Sequence, residues 1–522
     1  MPSAARAIGP LFARIAAAPD LDRQAVVGPE GALSYAELLD RAARLAAGVG
    51  AGEAPVLVYG HKQPAVIVGI LAALRLGRPY VPVDPSAPPA RIACMLEAAR
   101  PADAVLAQDA PPVLTGELAA RGIRTVTLDP LATGLAAEAE PPAAAEPKAG
   151  DSEAAAYIVF TSGTTVAPKG VPIPHRALGH FADWLLATHD FVPGGEVFLN
   201  QAPLSFDLSV MDLYGALLTG STFFAIGRDE LADPRRLFRR LDGAPLTTWV
   251  STPSFARFCL AEPRFTQVML PALRRFLFCG ETLPVGVARE LLARFPRAEV
   301  WNMYGPTEAT VAVTAVRITA AMVASERALT VGHAAPDIDL WIADPDDPQR
   351  RLPHGTRGEI VVAGPQVATG YLEAAAVGPS PFFAFPDGRC AYRTGDLGSI
   401  DPDDGSIACA GRLDGQIKLH GYRLELEEIE AHLRVVPGVS DGAVLAIDRD
   451  GQPDHLVAVV VGAPDDPSAL PDGGRPLTQL VRTALAESLP DYALPRLVRR
   501  VPALPLTSNG KVDRRALRET LG

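Results

Sequence analysis

Short apolar segments alternate with helical patterns along most of the 522-residue chain, and this alternation limits the folds open to it. Residues 79–85 are short, rich in β-branched and aromatic residues and bounded by prolines, as strands are. Residues 65–77 and 283–295 instead show helical patterns. Further strand-like segments are AVLAQ, TVTLD, AYIVFTS, TFFAIG, TTWVST, RFLFCG and AEVWNMYG. Strands that alternate with helices predict an α/β fold of parallel sheets covered by helices.

The pattern changes after Gly405. Residues 406–410 predict a strand, GAVLAIDRD and HLVAVVVG predict two more, and residues 477–488 predict a helix. This α+β segment is long enough for a small domain. Asp414 is followed by glycine, which is a turn signal and indicates a hinge. We therefore predict a large domain over 1–413, with a β subdomain near its end, and a small mobile domain over 414–522.

An acidic composition limits the partners. The chain has 48 Lys and Arg residues against 60 Asp and Glu, a net charge of −12, which repels phosphate backbones, so we expect no nucleic-acid partner. The five cysteines include no C-x-x-C pair, which argues against a disulfide framework and fits a cytoplasmic location. The best candidate for a membrane span, 65–74, is closed by Arg75 and is shorter than the roughly 20 apolar residues needed, so we expect no membrane insertion.

Residues 160–170 (FTSGTTVAPKG) combine hydroxyl groups, glycines and one lysine directly after a strand-like segment. Hydroxyls and backbone N–H groups suit phosphate oxygens, and a lysine supplies a point charge. The segment is not a Walker A loop, because Lys169 is followed by glycine and not by serine or threonine. Taken alone, the pattern also fits an ordinary polar loop.

Five further blocks accompany this loop, namely 33–38 (LSYAEL), 302–309 (NMYGPTEA), 392–397 (YRTGDL), 411–418 (GRLDGQIK) and 509–513 (NGKVD). Together the six blocks resemble the core motifs of the adenylate-forming superfamily, which includes acyl-CoA ligases, luciferase and nonribosomal peptide synthetase adenylation domains. The resemblance covers residues 30–520, and six ordered motifs are far more specific than one. FDLSVMDLYGALLTG, STPSF, FLFCGE and YGPTEATVAVT most resemble stand-alone D-alanine:D-alanyl carrier protein ligases.

The resemblance implies an ATP site. The residues implied for the nucleotide are Thr161, Ser162, Gly163, Thr164, Thr165, Lys169, Gly280, Glu281, Asn302, Met303, Tyr304, Gly305, Asp396 and Arg412. Those within 161–169 are implied to bind the β- and γ-phosphates. Asn302 and Tyr304 are implied to hold adenine, Tyr304 by stacking. Asp396 is implied to accept the ribose hydroxyls, with Arg412 nearby.

Three residues are implied to be catalytic. Thr307 is implied to contact the α-phosphate and Glu308 to ligate Mg²⁺. Lys511 is implied to bridge the substrate carboxylate and the phosphate, where its charge would stabilise the transition state. One residue departs from the family pattern, since Val166 stands where glycine is usual. Because a β-branched residue resists positive φ, the loop either avoids that conformation or handles pyrophosphate poorly.

A second set of residues is implied to hold an amino acid. Asp207 matches the aspartate that binds the α-ammonium group, and a buried carboxylate costs several kcal/mol unless a cation pairs with it. The implied walls are Leu208, Met211, Ser251, Leu277, Cys279, Met303, Val311 and Ala312. Leu277, Cys279 and Met303 leave little volume beyond a methyl group. We therefore expect a small amino acid, with D- or L-alanine first and glycine or serine next.

The expected reaction has two steps. ATP and the amino acid form aminoacyl-AMP at a site between the domains, and the small domain then turns about Asp414. The phosphopantetheine thiol of a carrier protein takes the aminoacyl group, and the carrier is expected to be separate because the chain ends shortly after Lys511. Two alternatives remain, namely an acyl-CoA ligase that uses free CoA and a catalytically idle nucleotide-binding homologue.

Two other patterns have simpler interpretations. Gly438-Val-Ser-Asp-Gly442 matches the nucleophile elbow G-x-S-x-G, but a helical pattern precedes it and a strand pattern follows, the reverse of the order that an elbow needs. A cluster of basic residues near the C-terminus predicts a solvated face, or alternatively a docking patch for a partner. Its members are Arg496, Arg499, Arg500, Arg514, Arg515 and Arg518.

Replacing Lys511 with alanine tests the implied catalytic role. We expect Lys511→Ala to abolish amino-acid-dependent ATP–pyrophosphate exchange and to leave ATP binding nearly unchanged, because the lysine charge is needed most in the transition state. Lys148→Ala, in the Ala-, Glu- and Pro-rich segment 131–155, is the matched control and should behave like the wild type. Wild-type exchange rates in Lys511→Ala would exclude the implied role.

Overall fold

The computed structural model describes residues 11–17, 20–133, 135, 151–162, 167–372, 380–449, 452–462, 477–505 and 512–521. The chain forms two compact units, the first comprising Met1–Pro85, Ala99–Phe160 and Gly170–Leu413, and the second Ser86–Ala98, Thr161–Lys169 and Asp414–Gly522. The described helices are α1 (Leu11–Ala17), α2 (Tyr35–Val49), α3 (Pro64–Arg75), α4 (Pro89–Ala99), α5 (Pro112–Ala120), α6 (His175–Thr188), α7 (Leu208–Leu218), α8 (Arg228–Ala232), α9 (Pro234–Leu241), α10 (Pro253–Leu260), α11 (Val285–Arg294), α12 (Ala320–Ala324), α13 (Leu426–Leu433), α14 (Leu477–Ala486) and α15 (Arg514–Leu521). None of these helices is both long and apolar enough to cross a membrane.

Sheet A of the first unit has nine strands. In spatial order they are β15 (His333–Ala334), β14 (Thr314–Ile318), β13 (Glu299–Tyr304), β12 (Arg275–Phe278), β11 (Thr248–Ser251), β9 (Val197–Asn200), β10 (Thr222–Ala225), β1 (Gln24–Gly28) and β2 (Gly31–Ser34). The strands from β13 to β1 run parallel, and the pairs at both edges are antiparallel. The expected alternation of strands and helices is thereby confirmed, because helices lie between most of these strands in the chain.

Sheet B, also in the first unit, has six strands. They are β6 (Arg124–Thr127), β5 (Asp103–Leu106), β3 (Val56–Tyr59), β4 (Tyr80–Val83), β7 (Ala155–Thr161) and β8 (Lys169–Pro174), and those from β6 to β7 are parallel. Helices α3 and α7 share one core with strands of sheets A and B. Every residue of β3 is buried, and so is every residue of α3 except Arg75. Both faces of the strand are covered, which explains why its sequence is apolar without interruption.

Alternation along the strands of sheet A separates two cores. Val250 and Leu277 point into the core shared with sheet B, whereas their neighbours Trp249 and Phe276 point to the opposite face. On that face Trp249 lies 5.8 Å from Phe276 between ring centroids, and helices α9, α10 and α11 cover both rings.

Sheet C is the antiparallel β subdomain expected near the end of the large domain. Its strands are β17 (Asp347–Arg351), β16 (Asp339–Asp344), β18 (Gly358–Ala363), β20 (Cys390–Ile400) and β19 (Phe382–Ala384), and β21 (Ile407–Arg412) pairs with β20. The loop 364–372 that follows β18 packs on the segment after β13, where the amide of Ala368 donates to the carbonyl of Glu308 at 2.8 Å.

The second unit has its own core. It contains the hairpin β22 (Gln416–Leu419) and β23 (Tyr422–Glu425) and the sheet β24 (Asp441–Arg449), β25 (Gln452–Val461) and β26 (Leu497–Arg500). Helices α13 and α14 cover that sheet around Leu433 and Val460. Because α13 precedes the G-x-S-x-G sequence and β24 follows it, the structure has no nucleophile elbow at Ser440.

The LSYAEL motif turns out to be a helix cap. The Ser34 hydroxyl accepts a hydrogen bond from the Glu37 amide, and the Glu37 carboxylate accepts one from the Ser34 amide. This reciprocal capping box fixes the start of α2. Tyr35 is buried behind it and donates to the carbonyl of Ser221 at 2.7 Å.

A buried carboxylate ties the amino ends of three parallel strands in sheet A. Glu196, next to β9, pairs with Arg274 at 3.0 Å and with Arg275 at 3.1 Å, and Thr247 donates to it at 2.5 Å. Burial alone raises the pKa of Glu196, but the hydrogen bonds from Thr247 and the Val192 amide and the charge of Arg275 outweigh it, so the pKa is lowered. The ionised network therefore stabilises the folded state at neutral pH.

Removing the charge of Glu196 tests this network. We expect Glu196→Gln to destabilise the first unit by about 3–5 kcal/mol, because Arg275 remains buried without its partner. Urea unfolding followed by tryptophan fluorescence reports on this unit, since Trp184, Trp249, Trp301 and Trp341 all lie in it. A lowered folded pKa means that the stabilisation is present above the ordinary glutamate pKa and is lost as the pH falls through the folded value.

Glu117→Gln is the matched control. Glu117 pairs with Arg121 on the surface at 2.7 Å, and such exposed pairs contribute roughly 0–1 kcal/mol. Equal losses of unfolding free energy in the two variants would contradict the proposed contribution of the Glu196 network. A difference between them that does not shrink at low pH would contradict it too.

Candidate active site

One group of the implied site residues meets at the carboxyl ends of parallel strands in sheet A. Ser251 ends β11, Cys279 follows β12, and Asn302 and Tyr304 lie at the end of β13. The register pairs Phe278 with Asn302 across neighbouring strands. In open α/β sheets this edge is where ligands bind. Strand topology therefore brings together the segments STPSF, FLFCGE and 302–309.

The implied wall residues are all buried. They are Leu208, Met211, Ser251, Leu277, Cys279, Met303, Val311 and Ala312. The seven apolar members belong to one hydrophobic cluster. The Cys279 thiol donates to the carbonyl of Val311, another of the implied wall residues, at 3.4 Å. The pocket roles themselves stay predictions.

Asp207 lies immediately before α7, half-buried, beside a group of neutral tyrosines. Tyr157 is wholly buried and stacks on Tyr80 at 5.5 Å, and the Tyr80 hydroxyl lies 3.1 Å from that of Tyr214. Burial first, and then electrostatic interaction with Tyr80 and Asp207, raise the pKa of Tyr157 well above its ordinary value. Tyr157 therefore stays protonated beside Asp207.

Asp396 is held by two protein donors in the first unit. The Tyr304 hydroxyl donates to Oδ2 at 2.7 Å, and the Arg412 guanidinium pairs with Oδ1 at 2.5 Å. Burial, and then the Asp396 charge, raise the pKa of Tyr304 well above its ordinary value, so Tyr304 remains a donor. Asn302 donates to the carbonyl of Thr330 at 2.8 Å. The structure thus brings together three residues implied for the nucleotide, with the carboxylate already oriented.

Glu308 lies in a 3₁₀ turn, Thr307–Ala309, directly after β13. It is fully buried and accepts a hydrogen bond from the Tyr371 hydroxyl at 2.7 Å. Sequence reasoning missed Tyr371, because the loop 364–372 has no periodic pattern that marks it. Within the described part of the chain no group of three or more His, Cys, Asp or Glu residues is placed to hold a metal ion. A divalent ion at Glu308 would therefore need most of its ligands from bound phosphate and water, which is how Mg²⁺ is commonly bound.

The remaining predicted residues fall in several places. Gly280 has a φ of 94°, and the Glu281 carboxylate accepts a hydrogen bond from the Ser254 amide at 3.0 Å, at the start of α10. Thr161 ends β7, Lys169 begins β8, and Asp414 is the first residue of the last segment of the second unit. Within that unit the Ser162 hydroxyl donates to the carbonyl of Arg423 at 2.9 Å.

Some predicted residues lie outside the described residues. They are Gly163, Thr164, Thr165, Val166 and Lys511. Of the basic cluster near the C-terminus, Arg499 is exposed, Arg514 pairs with Glu430 at 2.7 Å, and Arg518 donates to the carbonyl of Ala446. The cluster is thus in part an internal ion-pair and hydrogen-bonding group.

The chain belongs to the AMP-binding enzyme family. The model of the AMP-binding enzyme matches residues 12–372, and that of the AMP-binding enzyme C-terminal domain matches residues 428–511. The predicted superfamily is thereby confirmed.

The chain is also similar to individual proteins of known name or structure. The chain is 43% identical over 493 residues to D-alanine--D-alanyl carrier protein ligase of Bacillus velezensis, which covers 93% of this chain and 94% of that protein. It resembles the structure of PA1221, an NRPS protein containing adenylation and PCP domains, with a TM-score of 0.78 and 29% identity over 98% of this chain and 83% of the other. It also resembles a malonyl-CoA ligase structure with a TM-score of 0.75 and 29% identity, covering 95% of this chain and all of the other.

Removing one hydroxyl tests the arrangement around Asp396. Tyr304→Phe keeps the ring and removes the 2.7 Å hydrogen bond to the carboxylate. Since hydrogen bonds to charged groups contribute about 1.5–3 kcal/mol, we expect ATP to bind roughly tenfold or more weakly. Isothermal titration with ATP measures the change. Unchanged ATP affinity would show that Asp396 needs no orientation by Tyr304, or does not contact the nucleotide.

Proposed function

We propose that this protein is an AMP-forming ligase that activates a small amino acid with ATP and transfers it to the phosphopantetheine thiol of a separate carrier protein. Alanine is the favoured substrate, with glycine and serine next. The observation that carries the proposal is Asp207, a half-buried carboxylate directly before Leu208, the first of the implied wall residues, seven of which are apolar and buried in one cluster. An aryl or fatty acid offers no cation to pair with that charge, whereas the α-ammonium group of an amino acid does.

The first step joins two anions. The amino-acid carboxylate attacks the α-phosphorus of ATP, the bond to the β-phosphate bridging oxygen breaks, and pyrophosphate leaves. Positioning and charge neutralisation supply most of the catalysis of such a reaction. Asp396 and Tyr304 orient the nucleoside, Glu308 would hold Mg²⁺ to offset the phosphate charge, and Lys511 bridges the reacting groups.

Supporting observations for the substrate come from the relatives and from the pocket. The Bacillus velezensis relative is named a D-alanine--D-alanyl carrier protein ligase. Leu277, Cys279 and Met303 are buried among the predicted wall residues, and extra methylenes in such a packed site typically cost about 1–3 kcal/mol. We therefore propose D-alanine before L-alanine.

The second step delivers the product. The thiol sulfur attacks the carbonyl carbon of aminoacyl-AMP, a thioester forms, and AMP leaves. We propose that the small domain turns about Asp414 between the steps. Both the name of the relative and the PCP domain of the NRPS protein support a carrier protein as the acceptor.

An acyl-CoA ligase is the second candidate. The similarity to a malonyl-CoA ligase structure favours it, because that similarity covers 95% of this chain at 29% identity, the same identity as to the NRPS protein. The two functions differ in what they need from Asp207 and in the acceptor thiol. Release of AMP with free CoA, but not with a phosphopantetheinylated carrier protein, would support the ligase that uses CoA.

Amino-acid-dependent ATP–pyrophosphate exchange tests the proposal. We expect exchange with D-alanine or L-alanine above that with the other standard amino acids, and weak exchange with phenylalanine, leucine and aryl acids. Asp207→Asn should raise the amino-acid KM roughly 10- to 100-fold, since a charged hydrogen bond is lost, and leave ATP binding unchanged. Asp183→Asn removes an exposed carboxylate from α6 and is the matched control. An unchanged amino-acid KM in Asp207→Asn would show that another group holds the amine.

A further inference from the structure

A strained turn lies in the predicted pocket wall. Thr310 and Val311 have φ angles of 58° and 67°, a region that β-branched residues rarely adopt. The Ala312 amide donates to the carbonyl of Thr310 at 2.8 Å, which makes Val311 the centre of a three-residue γ-turn. With a positive φ this is the rare and strained form of that turn. Such strain persists only where the surrounding structure holds it in place.

The side chain of Gln366 holds this turn. Its Nε2 group donates to the carbonyl of Ala312 at 2.9 Å and to that of Thr310 at 3.4 Å. The Thr310 hydroxyl donates in return to the carbonyl of Gln366 at 2.8 Å. A primary amide has two N–H donors, so one group can span the two carbonyls on either side of Val311. Gln366 is fully buried, which excludes water as a ready substitute.

The loop that carries Gln366 is itself fixed. The Ala368 amide donates to the carbonyl of Glu308 at 2.8 Å, and the Arg176 guanidinium donates to the carbonyl of Val367 at 2.9 Å. Gly305 lies close against the turn, because a Cβ atom there would be 2.6 Å from the Cα atom of Ala312. The turn is therefore packed against one segment and hydrogen-bonded to another.

We propose that Gln366 is a positioning residue that sets the specificity of the amino-acid pocket by holding the strained turn at Val311. The proposal rests on the proposed function. Without the two donors, the carbonyls of Thr310 and Ala312 lose their partner and the strained backbone is free to relax. Val311 and Ala312 then move within the wall, whereas the nucleotide residues Tyr304 and Asp396 keep their own hydrogen bonds.

Gln366→Met tests the proposal, because it keeps the length of the side chain and removes both donors. In ATP–pyrophosphate exchange with the full-length protein, we expect the alanine KM to rise roughly tenfold and the preference for alanine over valine to fall by a similar factor. The ATP KM should change less than about twofold, because the hydrogen bonds to Asp396 are untouched. Gln267→Met is the matched control, since Gln267 also donates to two carbonyls, those of Leu270 and Leu273, and should leave both constants unchanged.

A second experiment relieves the backbone strain at Val311. Glycine adopts positive φ freely, so in a Val311→Gly background the turn needs less support. The rise in the alanine KM caused by Gln366→Met should then be less than half as large on a logarithmic scale. Thermal melting checks that each variant folds. If Gln366→Met does not fold, Thr310→Val, which removes only the hydroxyl donor to Gln366, should shift the alanine KM in the same direction.

The outcomes separate the two proposals. If Gln366→Met keeps the wild-type alanine KM and the wild-type preference for alanine over valine, the proposed role of Gln366 is wrong. Equal increases in the alanine KM and the ATP KM would also overturn it. If Gln366→Met raises the alanine KM by the same factor in the Val311→Gly background, the role of Gln366 is overturned as well. If the wild type exchanges pyrophosphate with none of the amino acids, the proposed function fails first, and the role of Gln366 in an amino-acid pocket fails with it.

Discussion

A single buried ammonium group joins the carboxyl ends of strands from two different sheets. Lys62 follows β3 of sheet B, is 1% exposed, and donates to the carbonyls of Gln201 at 2.6 Å and Ile226 at 2.9 Å. Those two carbonyls follow β9 and β10 of sheet A. Because Gln201 begins the segment that leads to Asp207, the spacing between the sheets also sets where this candidate substrate residue lies.

This ammonium group is retained despite the cost of burying it. Burial lowers the pKa of Lys62 to about 7, and the carboxylate of Asp212 in α7 acts most strongly in the other direction. Asp212 is itself buried and accepts hydrogen bonds from Asn200 at 3.1 and 3.2 Å. Burial also raises the pKa of Asp212 well above its ordinary value, and the electrostatic interaction with Lys62 opposes that shift. Buried ionisable groups that interact in this way seldom add net stability compared with an apolar replacement, but removing one of the two is strongly unfavourable. The contribution of Lys62 is therefore to fix which loops meet, and sheet A carries a second such network at its other end, around Glu196.

Sequence reasoning located the strands well because their information is local. The segments TTWVST and RFLFCG became β11 and β12, and their alternation separates Trp249 from Val250 as a period of two requires. The same reasoning missed Lys62, Tyr371 and Gln366. Their partners are far away in the sequence and are mostly backbone carbonyls, so no composition or spacing marks them. It also did not anticipate that residues 86–98 and 161–169 cluster with the second unit, where Arg91 pairs with Glu428 at 2.8 Å.

Residues from two different sheets contribute to the candidate site. The motif residues Tyr304 and Glu308 stand at the edge of sheet A, whereas Tyr371, Arg412 and Gln366, which hold parts of the site in place, come from sheet C or the loop after β18. A group that is hydrogen-bonded before its ligand arrives loses less freedom on binding, so such supports contribute to affinity without touching the ligand. Since Tyr371 and Gln366 lie outside the motifs, substitutions of these two residues can alter the shape of the pocket while the residues that identify the family stay the same. Selectivity within this family is therefore expected to depend on residues such as Gln366 as well as on the walls themselves.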